Sequence, residues 1–150
     1  MQIINTNNLN QARKQIIELK KNKQPIIVQA QDEKFNRKMF ENPDIDIILS
    51  PESHNRKDYM KQRDSGLNEI LAKLAKENNI KIAIDLDNLK KQDKTQKAII
   101  LSRIKQNIQL CKRTKTKLII FPKTKQNKQD ITSFMQTLGS STQQAKQALQ

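Results

Sequence analysis

Residues 63–86, RDSGLNEILAKLAKENNIKIAIDL, decide how this chain folds. Asp64-Ser65-Gly66 is a turn signature, because Asp bonds to nearby backbone and Gly takes conformations that other residues avoid. Leu67, Ile70, Leu71 and Leu74 then recur at the i, i+3, i+4, i+7 spacing of a helix packed along one side. Asn78-Asn79 ends that helix. Ile80, Ile82 and Ile84 predict a buried strand, and Ala83 keeps its other face small. Turn, helix and strand together make one repeat of an α/β alternation.

The alternation extends in both directions. Ile3-Ile4 predicts a first short strand. Leu9, Ala12, Ile16 and Leu19 predict a helix, with Thr6, Asn7 or Asn8 as its cap and Lys20, Lys21 and Lys23 at its negative end. Residues 25–28 (PIIV) read as a strand with Pro at its first position, where a missing donor is tolerated. Phe35 and Met39 mark a short helix ended by Pro43, and residues 45–49 (IDIIL) the next strand. A long helix is predicted from Gln96 to Arg113, with Leu101, Ile104, Ile108 and Cys111 on one face and Arg103, Gln106 and Arg113 on the other. Residues 118–121 (LIIF) give a fifth strand. Ile131, Phe134, Met135 and Leu138 form a helix with Asp130 near its start and Gly139 just past its end. A last short helix begins at Ser141 or Thr142. Such alternation implies a parallel sheet built by right-handed crossovers. A chain of 150 residues fits one domain spanning 1–150. A closed eight-stranded α/β barrel takes about 250 residues. An open sheet with helices on both faces and an incomplete barrel therefore both fit.

Charge bounds the function. Lys and Arg number 29 against 15 Asp and Glu, for a net charge of +14. A field of that sign concentrates polyanions, and nucleic acid is the first candidate. The excess is uneven: residues 1–60 carry ten basic and eight acidic side chains, whereas residues 89–128 carry thirteen basic ones and the single acid Asp93. No helix joins a broad apolar face to a basic one and there is no Trp, which argues against a membrane surface as the partner. No apolar run approaches the ~18 residues of a membrane span, and the N-terminus lacks a signal-peptide pattern. A cytoplasmic location is expected.

Few residues could do chemistry. Cys111 is alone, so there is no intrachain disulfide and no thiolate set for zinc, and its place on an apolar helix face makes it a packed thiol. His54 is the only histidine, too few for a His-rich metal centre. A carboxylate magnesium site could draw on Asp44, Asp46, Asp85 and Asp87; against that, Asp85 or Asp87 suits a helix cap before Asn88-Leu89-Lys90. Gly66 and Gly139 are the only glycines, which excludes a glycine-rich phosphate loop. The aromatics are Phe35, Phe40, Phe121, Phe134 and Tyr59; all four Phe fit core positions, so the exposed aromatics on a sheet that base stacking needs are missing. RNA is then expected to bind through phosphates and shape, for which Arg is better suited than Lys.

Several short motifs, taken in order, carry a family resemblance over residues 33–149. They are Asn36-Arg37, the strand Ile45-Asp46-Ile47-Ile48-Leu49 ending in Ser50-Pro51, the turn and helix from Arg63-Asp64-Ser65-Gly66-Leu67-Asn68 onward, the long helix around Arg103, and then Asp130-Ile131, Leu138-Gly139 and Ala145. The chain resembles archaeal ribonuclease P protein component 3, counterpart of the eukaryotic thirty-kilodalton ribonuclease P subunit. The resemblance implies a TIM-barrel-like α/β fold, here shortened or incomplete. It also implies a non-catalytic subunit that supports an RNA removing the 5′ leader from precursor tRNA. The partners would be ribonuclease P RNA and protein component 2, with precursor tRNA met indirectly, and magnesium held by the RNA and no cofactor by the protein. Against the family pattern the N-terminal portion is short, the loop after Phe121 is compressed, and Lys97 stands where an Arg is usual. Expected RNA contacts are Arg63, Lys97, Arg103, Arg113 and Lys123, with Arg37 and Arg56 beside them; no catalytic or metal-binding residue is expected. The alternatives are a general RNA-binding or assembly protein and a metal-dependent phosphoesterase.

Overall fold

The computed structural model describes residues 1–122 and 127–149. Along the chain run β1 (Ile3–Ile4), α1 (Leu9–Lys21), β2 (Ile27–Gln29), α2 (Glu33–Phe40), β3 (Ile47–Leu49), α3 (Glu69–Glu77), β4 (Lys81–Asp85), α4 (Leu86–Lys91), α5 (Lys94–Thr114), β5 (Leu118–Phe121), α6 (Lys128–Thr137) and α7 (Thr142–Gln147). Short polar side chains start the helices. Asn8, Asp32, Asn68, Asp93 and Ser141 each accept a backbone N–H from the first turn, satisfying donors that have no partner inside the helix. Asp85 does the same for α4, accepting from the Asn88 N–H at 3.0 Å. The cap of α6 is Asn127, which leaves Asp130 in the first turn.

The five strands form one parallel sheet in the order β1-β2-β3-β4-β5. Spatial order equal to chain order is the winding of an α/β barrel. A doubly wound sheet reverses part-way and so places helices on both faces. The side chains agree. Ile4, Val28, Ile48, Ile82 and Leu118 stand in one row across all five strands. That row belongs to the apolar cluster that takes in buried residues from every helix. The opposite face carries Ile27, Leu49 and Ala83, flanked by Ile3, Ile47, Ile119 and Phe121, and among the described residues no helix contributes to it. Helices on one side and a small apolar face on the other make the chain TIM-barrel-like, with five strands among the described residues. Among the described residues the helices lie on one face of the sheet, not on both.

Two local expectations shift. Ile70 is 58% exposed. Leu67 is buried from the turn, ahead of the cap Asn68, so it does not set the helical phase; the buried side of α3 is Leu71, Ala72 and Ala75. Pro25 and Ile26 precede β2, where the Ile26 N–H donates to Asp46 Oδ2 at 2.8 Å. Among the described residues no helix is long and apolar enough to cross a membrane.

Candidate nucleic-acid interface

The long connection between β3 and α3 lies at the carboxyl end of the sheet. Ser50 begins it with φ of 51°, a left-handed conformation unusual for a residue with a Cβ. Its N–H donates to the Ala83 carbonyl at 2.8 Å and its Oγ accepts the Asp85 N–H at 3.2 Å. The Asp64-Ser65-Gly66 turn closes the connection. Gly66 has φ of 74°, donates its N–H to Asp64 Oδ1 at 3.1 Å, and lies so close to Pro51 that a Cβ would sit 1.9 Å from the Pro51 carbonyl oxygen. Only glycine fits there.

Arg103 corrects the reading of α5. It is 3% exposed and lies inside the protein, not on an RNA-facing side. Its Nε donates to Asp58 Oδ1 at 3.1 Å, Nη1 to the Glu52 and His54 carbonyls at 3.1 and 3.0 Å, and Nη2 to the Arg56 carbonyl at 3.0 Å. Buried Asn107, one turn on, donates to the Ser65 carbonyl at 3.3 Å. Arg103 is spent on holding the connection against α5, Asn107 gives its amide N–H to the same task, and burial keeps both side chains from RNA. The sequence pattern, taken as a stripe beginning at Leu101, put Arg103 on the outer face. The spacing Ile100, Arg103, Ile104, Asn107, Ile108, Cys111 is nonetheless the inward stripe, and all six are buried.

The connection is also tied internally. Asp58 Oδ2 accepts from Arg63 at 2.7 Å and Oδ1 accepts the Asp64 N–H at 2.8 Å. Burial works against its charge, yet the bonds from Arg63, the Asp64 backbone and Arg103 draw its pKa down to about 2. His54 Nε2 donates to the Asp64 carbonyl at 2.6 Å while Nδ1 accepts the Arg56 N–H at 3.1 Å. One ring nitrogen thus donates and the other accepts, which fixes a neutral imidazole. Its pKa is lowered first by burial. Glu52 is 1% exposed and its Oε2 has no hydrogen-bond partner; burial first, and the charge of Asp85 after it, push its carboxyl up to about 8. Nothing in the sequence marked Glu52 as buried.

The connection and α5 bound a cleft of about 500 Å³. Arg56, Arg63 and Arg113 all line it, so three of the expected RNA contacts come together, from chain positions far apart. Arg56 is held by Asp64 at 3.4 Å and by the Gln31 carbonyl at 3.2 Å, whereas Arg113, in the last turn of α5, is exposed. The other expected contacts lie elsewhere. Arg37 is exposed on α2 and paired with Glu41 at 2.9 Å. Lys97 lines a separate groove of about 370 Å³ with Leu86, Leu89, Asp130 and Phe134. Lys123 lies outside the described residues. The cleft also holds Tyr59, 55% exposed, an aromatic to which the sequence assigned no role. It sits in a polar loop with no periodicity, where nothing in the pattern separates an exposed ring from a buried one.

The carboxylates considered for magnesium do not converge. Asp44 is paired with Lys20 at 2.6 Å, and Asp46 binds the Ile26 N–H; both precede β3, at the amino end of the sheet. Asp85 closes β4 at the opposite end and caps α4. Among the described residues no group of three or more His, Cys, Asp or Glu is placed to hold a metal ion.

Residues 3–150 match the sequence model of the family described as RNase P subunit p30. The chain belongs to the RNase P subunit p30 family. Ribonuclease P protein component 3 of Methanococcus maripaludis strain C6 is 31% identical over 117 residues, 78% of this chain and 47% of the relative. The protein of the same name from Methanosarcina acetivorans is 34% identical over 95 residues, 63% of this chain and 36% of the relative. A chain in a cryo-EM structure of archaeal ribonuclease P with mature tRNA superposes with a TM-score of 0.80 at 25% identity, covering 98% of this chain and 62% of that one. This p30-family chain therefore matches about half the length of the Methanococcus relative.

Proposed function

We propose that the chain is a non-catalytic protein subunit of ribonuclease P, supporting an RNA that removes the 5′ leader of precursor tRNA. The observation that carries this reading is the family match across residues 3–150. The charge supports it. Apart from the buried Arg103, residues 89–128 carry twelve basic side chains against one acid, which would offset phosphate repulsion in a folded RNA, so that the RNA keeps its structure and its magnesium at lower ionic strength. Arg113, from that block, meets Arg56 and Arg63 in the cleft beside α5. Protein component 2 is the expected protein partner, precursor tRNA is met through the RNA, and the magnesium ions belong to the RNA.

Reconstitution tests this. Ribonuclease P RNA and component 2 are assembled with and without the chain, and precursor-tRNA cleavage is followed at limiting magnesium. The chain is expected to lower the magnesium concentration needed for half-maximal cleavage. An unchanged magnesium dependence overturns the proposal. The net charge of +14 is shared by one second reading, a general RNA-binding or assembly protein. Copurification of some other RNA, with ribonuclease P RNA absent, would support that reading.

A further inference from the structure

We propose that the cleft between the β3–α3 connection and α5 holds one unpaired nucleobase, stacked on Tyr59. The proposal rests on the RNA-binding reading above and gives that reading a specific site. It departs from the expectation that RNA is bound through phosphates and shape alone.

Three observations carry it. The first is the ring itself. Tyr59 is 55% exposed, whereas Phe35 and Phe40 are buried and Phe121 and Phe134 half-buried. A large aromatic held in water beside a cleft is a stacking surface, because every base has a π-face to offer it. The second is charge. In a chain of net charge +14, this cleft is balanced: Arg56, Arg63 and Arg113 face Glu33, Asp64 and Glu69. A groove that tracks a phosphate backbone is lined by one sign. A balanced lining suits a neutral heterocycle whose edge carries both donors and acceptors. Gln62 and Gln106 supply matching amides, each with a carbonyl and an NH₂ to present. The third is rigidity. Asp58, next to Tyr59, is fixed by Arg63, Arg103 and the Asp64 N–H, so the loop bearing the ring is anchored before any ligand arrives. Little ordering cost then remains for binding. A volume of about 500 Å³ accommodates one nucleoside.

Tyr59 is the only tyrosine and the chain has no Trp, so intrinsic emission reports on this ring alone. The full chain is titrated with a single-stranded hexa-adenylate, a duplex RNA of equal phosphate count and inorganic polyphosphate. Saturable quenching by the single strand is expected, and binding by duplex and polyphosphate without comparable quenching. Tyr59→Phe, followed by anisotropy of labelled hexamer, keeps the affinity within about twofold, whereas Tyr59→Leu weakens it roughly tenfold. Equal quenching by all three polyanions, or wild-type affinity in Tyr59→Leu, overturns the proposal. So does an emission change on adding component 2 but not RNA, which would make the cleft a protein contact. Stimulated precursor-tRNA cleavage without quenching removes the nucleobase site and leaves the ribonuclease P reading standing. Quenching without stimulation does the reverse.

Discussion

Removing the Arg103 side chain would strand the carbonyls of Glu52, His54 and Arg56 and take one of three donors from the Asp58 carboxylate. Breaking a buried charged network from one side costs about 3–5 kcal/mol. Arg103→Ala is therefore expected to lower stability by that order in urea unfolding. Arg103→Lys should recover only part of it, since a compact ammonium cannot reach several spread acceptors. At temperatures where the Ala variant remains folded, its RNA affinity should match wild type; a selective loss of affinity with stability intact would contradict the internal role. Gly66 is equally specific. A left-handed conformation costs a residue with a side chain ~1–3 kcal/mol, and the Pro51 carbonyl occupies the space a Cβ needs. Gly66→Ala should destabilise by at least ~2 kcal/mol, read from the midpoint of thermal or urea unfolding.

At the scale of the element, the β3–α3 connection carries a buried carboxyl whose ionisation opposes folding. Glu52 holds its proton to about pH 8 in the folded chain, while an unfolded glutamate releases it near 4.5. Between those values the native state binds the extra proton, so stability falls as pH rises, by up to roughly 1.4 kcal/mol per pH unit. Glu52→Gln should flatten that fall and be more stable than wild type at pH 8; parallel unfolding midpoints from pH 5 to 8 would refute it. Asp58 has the opposite sign. With its pKa drawn down to about 2 from 3.8, its contribution is present above pH 4 and lost as pH drops through that window. How much of this was legible varies by element. The Arg63-to-Leu86 stretch declares its own turn, helix and strand because periodicity and turn chemistry agree there. In α5 the phase was the difficulty. Counted from Leu101, at about 100° per residue, Arg103 falls roughly 160° away on the outer side; counted from Ile100 it falls within ~60° and Asn107 within ~20°. The structure buries Ile100 and leaves Leu101 partly exposed, and the connection opposite supplies the acceptors that Arg103 needs. That connection has no period at all, and its course past Glu52 to Asp58 is held by Arg103, about fifty positions on.

For the whole molecule, the net charge of +14 predicts binding that salt weakens steeply. Each phosphate neutralised on a single strand contributes about −0.7 to the slope of log affinity against log salt. A slope steeper than about −3 is expected from a basic surface of several contacts, and a slope near zero would remove the electrostatic account. The barrel-type winding was only half legible: alternation of elements requires parallel strands, but the order of strands in space depends on which face each helix covers, and one run of sequence does not contain that. The bonds from Arg103 span 45 to 51 residues, and this has a consequence in time. A ribosome adds about 5–20 residues per second, so the segment around Glu52–Asp58 emerges roughly 2–10 s before the side chain that fastens it. Chains stalled short of Arg103 should be cut by protease within that segment, and chains stalled after β5 has emerged should resist. The cleft is the part of the molecule that synthesis begins early and finishes late.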